Sequence, residues 1–183
     1  MKRVALIMLA IAGLTFTGNQ LKAQESFASA GLELTLPMGD FSDVFPFGAG
    51  LSLQYEFGVT RQFSVTGNVG YTYLTLDSDL KDFYKNGSFI PIQFGGKYYL
   101  DKQRSGLFLA AQLGVHIVSI TTEDIEFFGV KVEGETNSET EFSFAPEVGY
   151  FVNENVSLAL RFNLITTDGD NINYLGLRAA YNF

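Results

Sequence analysis

Cysteine is absent from the 183 residues, which excludes a disulfide framework, a thiolate metal site, a cysteine nucleophile and an amino-terminal lipidated cysteine. His116 is the single histidine, so a cluster of histidine metal ligands is excluded and any histidine-based catalysis must use that residue. Basic residues are scarce: 12 Lys and Arg stand against 20 Asp and Glu, a net charge of −8, which argues against binding nucleic acid through a basic surface. Charge of either sign is thin, at 17% of residues compared with about 25% in soluble domains. Tryptophan is missing and there are only 4 prolines. What is plentiful is apolar and aromatic side chain, 46% and 15% of the chain, together with 19 glycines. That composition does not suit a disordered polypeptide. The length suits one ordinary domain.

The first residues read as an export signal. Lys2 and Arg3 supply a positive start, Val4 to Phe16 is an apolar run, and Thr17 to Lys22 is a polar exit. The run fits a signal core and is too short for a bilayer-spanning helix, which needs about 20 apolar residues. Leu21 and Ala23 stand at −3 and −1 of a cleavage site. Residues 1–23 are therefore expected to be a signal peptide and 24–183 the mature domain. Cleavage removes Lys2, Arg3 and Lys22 and no acid, leaving 9 basic against 20 acidic residues, a charge of −11. No later segment resembles a transmembrane helix.

Beyond residue 26 the dominant period is two, the strand period. Taken at every second residue, Ala28–Leu36, Ala49–Phe57, Phe63–Thr75, Ile90–Leu100, Leu107–Ile117, Phe142–Tyr150, Val156–Leu164 and Leu175–Phe183 form apolar stripes without one charged residue. The opposite parity carries Glu33, Gln54, Glu56, Asn68, Gln93, Lys97, Gln112, His116, Glu147, Arg161, Asn163, Arg178 and Asn182. Residues 37–47, 77–88, 119–141 and 166–172 are long or polar connectors, while 58–61, 101–105 and 152–155 are short turns. An even strand count with alternating long and short links is the pattern of an outer-membrane barrel, with long loops outside and short turns in the periplasm. The expected fold is all-β: an eight-stranded antiparallel up-and-down transmembrane β-barrel, apolar face outward.

Glycine agrees with this reading. Gly31, Gly50, Gly70, Gly95, Gly114, Gly149 and Gly176 lie on the polar parity, where a narrow barrel needs small inward residues. Pro91 and Pro146 conflict with a closed ladder unless the pairing is locally interrupted at each. Two aromatic girdles are expected: Phe57, Phe63, Tyr98, Tyr150 and Phe183 at one set of strand ends, and Tyr71, Tyr73, Phe89, Phe142 and Tyr174 at the other. The soluble alternative, a lipocalin-like barrel with the apolar face inside, would leave very few charges on its outer surface.

The signal ending LKAQ, the segment IPIQFGGKYYL at 90–100 and the terminal LGLRAAYNF at 175–183 resemble the small outer-membrane β-barrel family common in Bacteroidetes, the PorT-like, opacity-like group. The resemblance implies an eight-stranded barrel in the cell outer membrane and no single activity, cofactor or catalytic residue. Tyr181 and Phe183 resemble the carboxy-terminal signal read by the barrel-insertion machinery.

On the inward parity Glu33, Glu56 and Glu147 balance Lys97, Arg161 and Arg178. Depth counting places Arg178 against Glu33 across the closing seam and Arg161 against Glu147 across the sixth and seventh strands. This is the pattern of a self-satisfied lumen plug. His116 with Ser119 and either Glu123 or Asp124 is a candidate lipid-modifying triad; a hydrogen-bonded lumen histidine is the competing reading. Loop 119–141 carries Glu123, Asp124, Glu126, Glu133, Glu135, Glu139 and Glu141 against Lys131, so it suits a hard cation, a basic partner or simple solvation. Within it IEFFGVKV, 125–132, is apolar enough to raise a hairpin above the membrane and pair edge-on with an envelope protein. The functional expectation is a non-enzymatic structural or interaction barrel held by outer-membrane lipids, without cofactor and without nucleic acid. A narrow channel and a lipid-modifying enzyme are the alternatives. Mass spectrometry of the native protein should give Gln24 as its first residue; a membrane form that retains Met1 would refute the cleavage site.

Overall fold

The computed structural model describes residues 26–77, 84–122, 125–127, 130–132, 134–167, 169 and 171–183. The expected signal peptide, and Glu123, Asp124 and Glu133 of the acidic loop, lie outside the described residues. In chain order the elements are β1 (Ser26–Met38), α1 (Phe41–Val44), β2 (Phe47–Gly58), β3 (Phe63–Thr75), β4 (Tyr84–Tyr99) and β5 (Gly106–Thr122). There follow β6 (Ile125–Phe127), β7 (Val130–Val132), β8 (Thr136–Phe151), β9 (Val156–Thr166) and β10 (Ile172–Asn182). Among the described residues β6 and β7 pair only with each other. The other eight strands close into an antiparallel barrel in the order β1-β10-β9-β8-β5-β4-β3-β2.

Every barrel strand pairs with its chain neighbour, and the closing pair, β1 with β10, runs from Ser29↔Asn182 to Met38↔Asn173 without a register shift. Period-two alternation decides which face meets which solvent. Leu32, Leu51, Phe94, Leu109 and Leu158 stand on the exposed outer wall, whereas Gln54, Glu56, Gln93, Lys97, Gln112 and Arg178 are buried. A soluble barrel would have the opposite arrangement. An apolar outer wall around a polar interior is the arrangement that hydrocarbon demands.

The two prolines sit where the pairing pauses. The β3–β4 ladder passes through Val69↔Ile92 and resumes at Thr72↔Phe89, skipping Pro91. The β8–β9 ladder passes from Phe144↔Leu164 to Glu147↔Arg161, skipping Pro146. On their other sides both prolines remain opposite β5, at His116 and Ala111. A residue without an N–H interrupts one ladder and leaves the other in place.

The structure corrects two expectations. Loops 77–88 and 119–141 are partly strand: β4 starts at Tyr84, β5 runs to Thr122 and β8 begins at Thr136. Phe89 and Tyr174 are not part of an outer girdle. They are 0% and 6% exposed and point inward, because each has the opposite parity to its strand's outer stripe. The other named girdle residues, from Phe57 to Phe183, are exposed on the outer wall. Leu109 and Leu158 are 51% and 44% exposed at mid-strand positions of that wall. Replacing either with Arg should destabilise the inserted barrel by about 2–4 kcal/mol, read by reversible folding into bilayers; two neutral substitutions would contradict the lipid-facing assignment.

Candidate functional site: a sealed lumen and an extended outer rim

The short turns and both described termini share one end of the barrel, the periplasmic end by the usual topology. The lumen above them is filled in three layers. At the periplasmic end Tyr99, Phe108 and Phe151 turn inward, with ring centres 5.7–5.9 Å apart. Phe27 packs edge-on against Phe151. Phe108 covers Gly149, its direct cross-strand partner on β8. A Cβ there would run into the ring, so only glycine accommodates the close approach.

The middle layer holds the charges. Lys97 Nζ lies 2.8 Å from Glu56 Oε2, although β3 separates their strands. Only Ser64 and Thr66 of β3 stand between them, and both are small. The Tyr99 hydroxyl donates to Glu56 Oε1 at 2.6 Å, and Lys97 Nζ stands 4.5 Å from the centre of the Phe108 ring. Arg161 Nε donates to Glu147 Oε2 at 2.6 Å, and the two residues face one another in the β8–β9 register. Arg178 Nε is 3.4 Å from Glu33 Oε1 and donates to Ser52 Oγ at 2.8 Å, while its Nη2 donates to Ser29 Oγ at 3.0 Å. Arg178 lies over Gly31, where a Cβ would come within 2.9 Å of Nε. The six charged residues named from the sequence therefore meet as three ion pairs; Lys97–Glu56 and Arg161–Glu147 are also hydrogen-bonded, whereas Arg178 gives its hydrogen bonds to Ser52 and Ser29.

The third layer lies toward the outer mouth. Phe45, Leu74, Phe89, Val118, Ile165 and Tyr174 form a buried apolar cluster, and Phe41 and Val44 of α1 pack against it. Phe41 stacks on Phe89 and Phe89 on Tyr174, at 5.7 Å and 5.4 Å between ring centres. His116 Nε2 is 2.8 Å from the Tyr174 hydroxyl. Ser119 has the opposite parity and bonds to Ser138 across the strand pair at 2.8 Å. His116 and Ser119 thus lie on different faces of β5, and the geometry does not assemble the histidine–serine pair of the candidate triad.

Sequence reasoning missed both apolar layers. The signal was available: Phe89, Tyr99, Phe108, Phe151 and Tyr174 all oppose the parity of their own strand's apolar stripe. Tyr181 and Phe183 face outward, their rings 5.2 Å apart, and the Phe183 amide donates to the Ala28 carbonyl at 2.8 Å.

Arg161→Leu should cost about 3–5 kcal/mol in urea unfolding from micelles, because it leaves Glu147 buried and unpaired. The Arg161→Leu/Glu147→Leu double variant should recover most of that loss. A neutral single variant would mean that water reaches the pair.

The whole-chain fold agrees with solved barrels. Ail, the attachment invasion locus protein of Yersinia pestis, superposes with a TM-score of 0.65 at 15% identity, covering 89% of this chain and 100% of Ail. Ail in complex with the heparin analogue sucrose octasulfate gives 0.64 at 17% identity, covering 87% and 99%. The N-terminal β-barrel domain of Pseudomonas aeruginosa OprF gives 0.56 at 15%, covering 87% and 100%. No curated protein matches the chain in sequence. The model of the outer membrane protein beta-barrel domain matches residues 8–183. With its strands closed, its apolar wall outward and nearly its whole length matched, the chain belongs to the outer membrane protein beta-barrel domain family.

Proposed function

We propose that this barrel is a non-enzymatic scaffold of the outer membrane, sealed through its lumen and acting through the strands and loops of its outer rim. In this reading residues 1–23 are removed on export, the mature domain is 24–183, and Tyr181 and Phe183 are read by the insertion machinery. The Bacteroidetes PorT-like, opacity-like grouping remains part of the same proposal. The observation that carries it is the double seal: aromatic layers at both ends of a lumen whose three acids and three bases are matched. A channel needs a continuous wet path, which two dry layers oppose. A lipid-modifying enzyme needs a base within reach of its nucleophile, which the opposite facing of His116 and Ser119 opposes. Surface action suits the uneven rim, where β4 outruns β3 and β8 outruns β9.

The ligand in the Ail complex is a polyanion. This chain carries Glu139 and Glu141 on the raised part of β8, and Glu135 just before it, within a net charge of −8, so polyanion binding does not transfer to it by electrostatics. In planar bilayers the purified full-length protein should give no stable large conductance; such a conductance would refute the sealed scaffold. Protease added to intact cells should cut within 119–141, and complete protection without a partner would contradict exposure of that loop.

A further inference from the structure

Above the lipid belt the barrel wall has an unfinished edge. β9 ends at Thr166, opposite Phe142, whereas β8 begins at Thr136. Thr136–Glu141 pair with β5, from Thr121↔Thr136 to His116↔Glu141, in unbroken register. On their other side, among the described residues, no strand pairs with them. Thr136–Thr140 are exposed and Glu141 is half-buried. Six residues of strand extend about 20 Å.

The two faces of this edge differ. Thr136, Ser138 and Thr140 share the outward face, where Ser138 bonds to Ser119 and Thr136 to Thr121, at 2.8 and 3.0 Å. Asn137, Glu139 and Glu141 share the face toward the barrel axis. Among the described residues the carboxylates of Glu139 and Glu141 have neither an ion pair nor a hydrogen bond.

We propose that Thr136–Glu141 accepts one extended protein strand by β-augmentation, and that this strand is cationic at alternate positions. The inference rests on the scaffold reading and names its partner. A free edge offers a row of backbone donors and acceptors at the strand repeat, which another strand matches group for group. Side-chain alternation then sets the chemistry: every second residue of the guest stands beside Glu139 and Glu141, and the rest lie against hydroxyls. Opposite charges directly across an antiparallel pair stabilise it and like charges oppose it. A second copy of this chain is disfavoured for that reason, since self-pairing places the glutamate face against itself. Protected edges carry lysine, proline, a bulge or inward-pointing charges. Thr136–Glu141 has no lysine, proline or bulge, and its inward charges are the glutamates alone, which repel every strand except one of opposite charge. Its carboxylates repel most strands and admit a cationic one, and the negative net charge speeds that encounter.

The test is fluorescence anisotropy with the full-length barrel in zwitterionic micelles. The probe is a labelled alternating Lys-Thr peptide long enough to span Thr136–Glu141. The controls are the same peptide N-methylated at alternate residues and an alternating Glu-Thr peptide. The Lys-Thr peptide should bind, and the two controls should not. Glu139→Gln with Glu141→Gln should weaken binding about tenfold, as expected for two cross-strand charge pairs, with heat-modifiable migration unchanged because neither carboxylate makes an ion pair or hydrogen bond among the described residues. Equal binding of the N-methylated peptide would reduce the effect to surface charge and overturn the edge. No binding of the Lys-Thr peptide would mean that the carboxylates only guard the edge, and would also overturn it. That failure, in a barrel that does not conduct, leaves the scaffold reading standing; a large conductance removes the scaffold reading itself.

Discussion

In hydrocarbon an unpaired backbone amide finds no water, so every spanning strand needs a neighbour on both sides. Here that requirement is met by one seam. β1 and β10 are at opposite ends of the described chain and pair in continuous register. The same register places Glu33 directly opposite Arg178, so the contact that closes the ladder also positions a charge pair. Once the sheet is closed, the faces are decided by alternation alone. Lipid takes the apolar stripe, and whatever lies on the other parity must be satisfied inside.

The lumen answers that demand by dividing into layers. Bare charges in a narrow interior are costly unless paired and excluded from competing water. The two apolar layers bound the charged layer at both ends, and within it Lys97, Arg161 and Arg178 each meet a carboxylate. The layers are linked: Tyr99 belongs to the lower apolar cluster and donates to Glu56, and His116 bonds to Tyr174 at the edge of the upper one. Glycine makes the layering geometrically possible, because Phe108 and Arg178 lie flat over Gly149 and Gly31.

The outer rim follows a different logic. Above the belt water is available, and closure is no longer compulsory. β5 and β8 stay paired up to Thr121↔Thr136 there, and the ladder on the β9 side stops at Phe142. Stability resides in the closed, filled part of the barrel. The open part is free to be specific in its contacts, and in this chain it is polar and acidic.

Much of this was legible in the residues. Period-two patterning is local and strict, so strand number, inside-out polarity and the inward set Glu33, Glu56, Lys97, Glu147, Arg161 and Arg178 could be read without coordinates. The contacts Arg178–Glu33 and Arg161–Glu147 could be read as well, because antiparallel neighbours of a closed meander fix which depths meet. Lys97 with Glu56 could not, since their strands are not adjacent and the pair forms only where the wall curves around a small-residue strand. The aromatic seals were missed for a related reason. Phe89 and Tyr174 lie near strand ends, where girdle residues are expected, and their inward parity gains its meaning only when rings from distant strands converge on one axis. The extent of β8 beyond β9 is equally invisible in a pattern of polar residues, because Ser, Thr and Glu suit a loop or a solvated strand alike. Alternation within a strand belongs to the sequence; what crosses the lumen, and where the wall stops, depends on residues far apart in the chain and is decided only when the barrel closes.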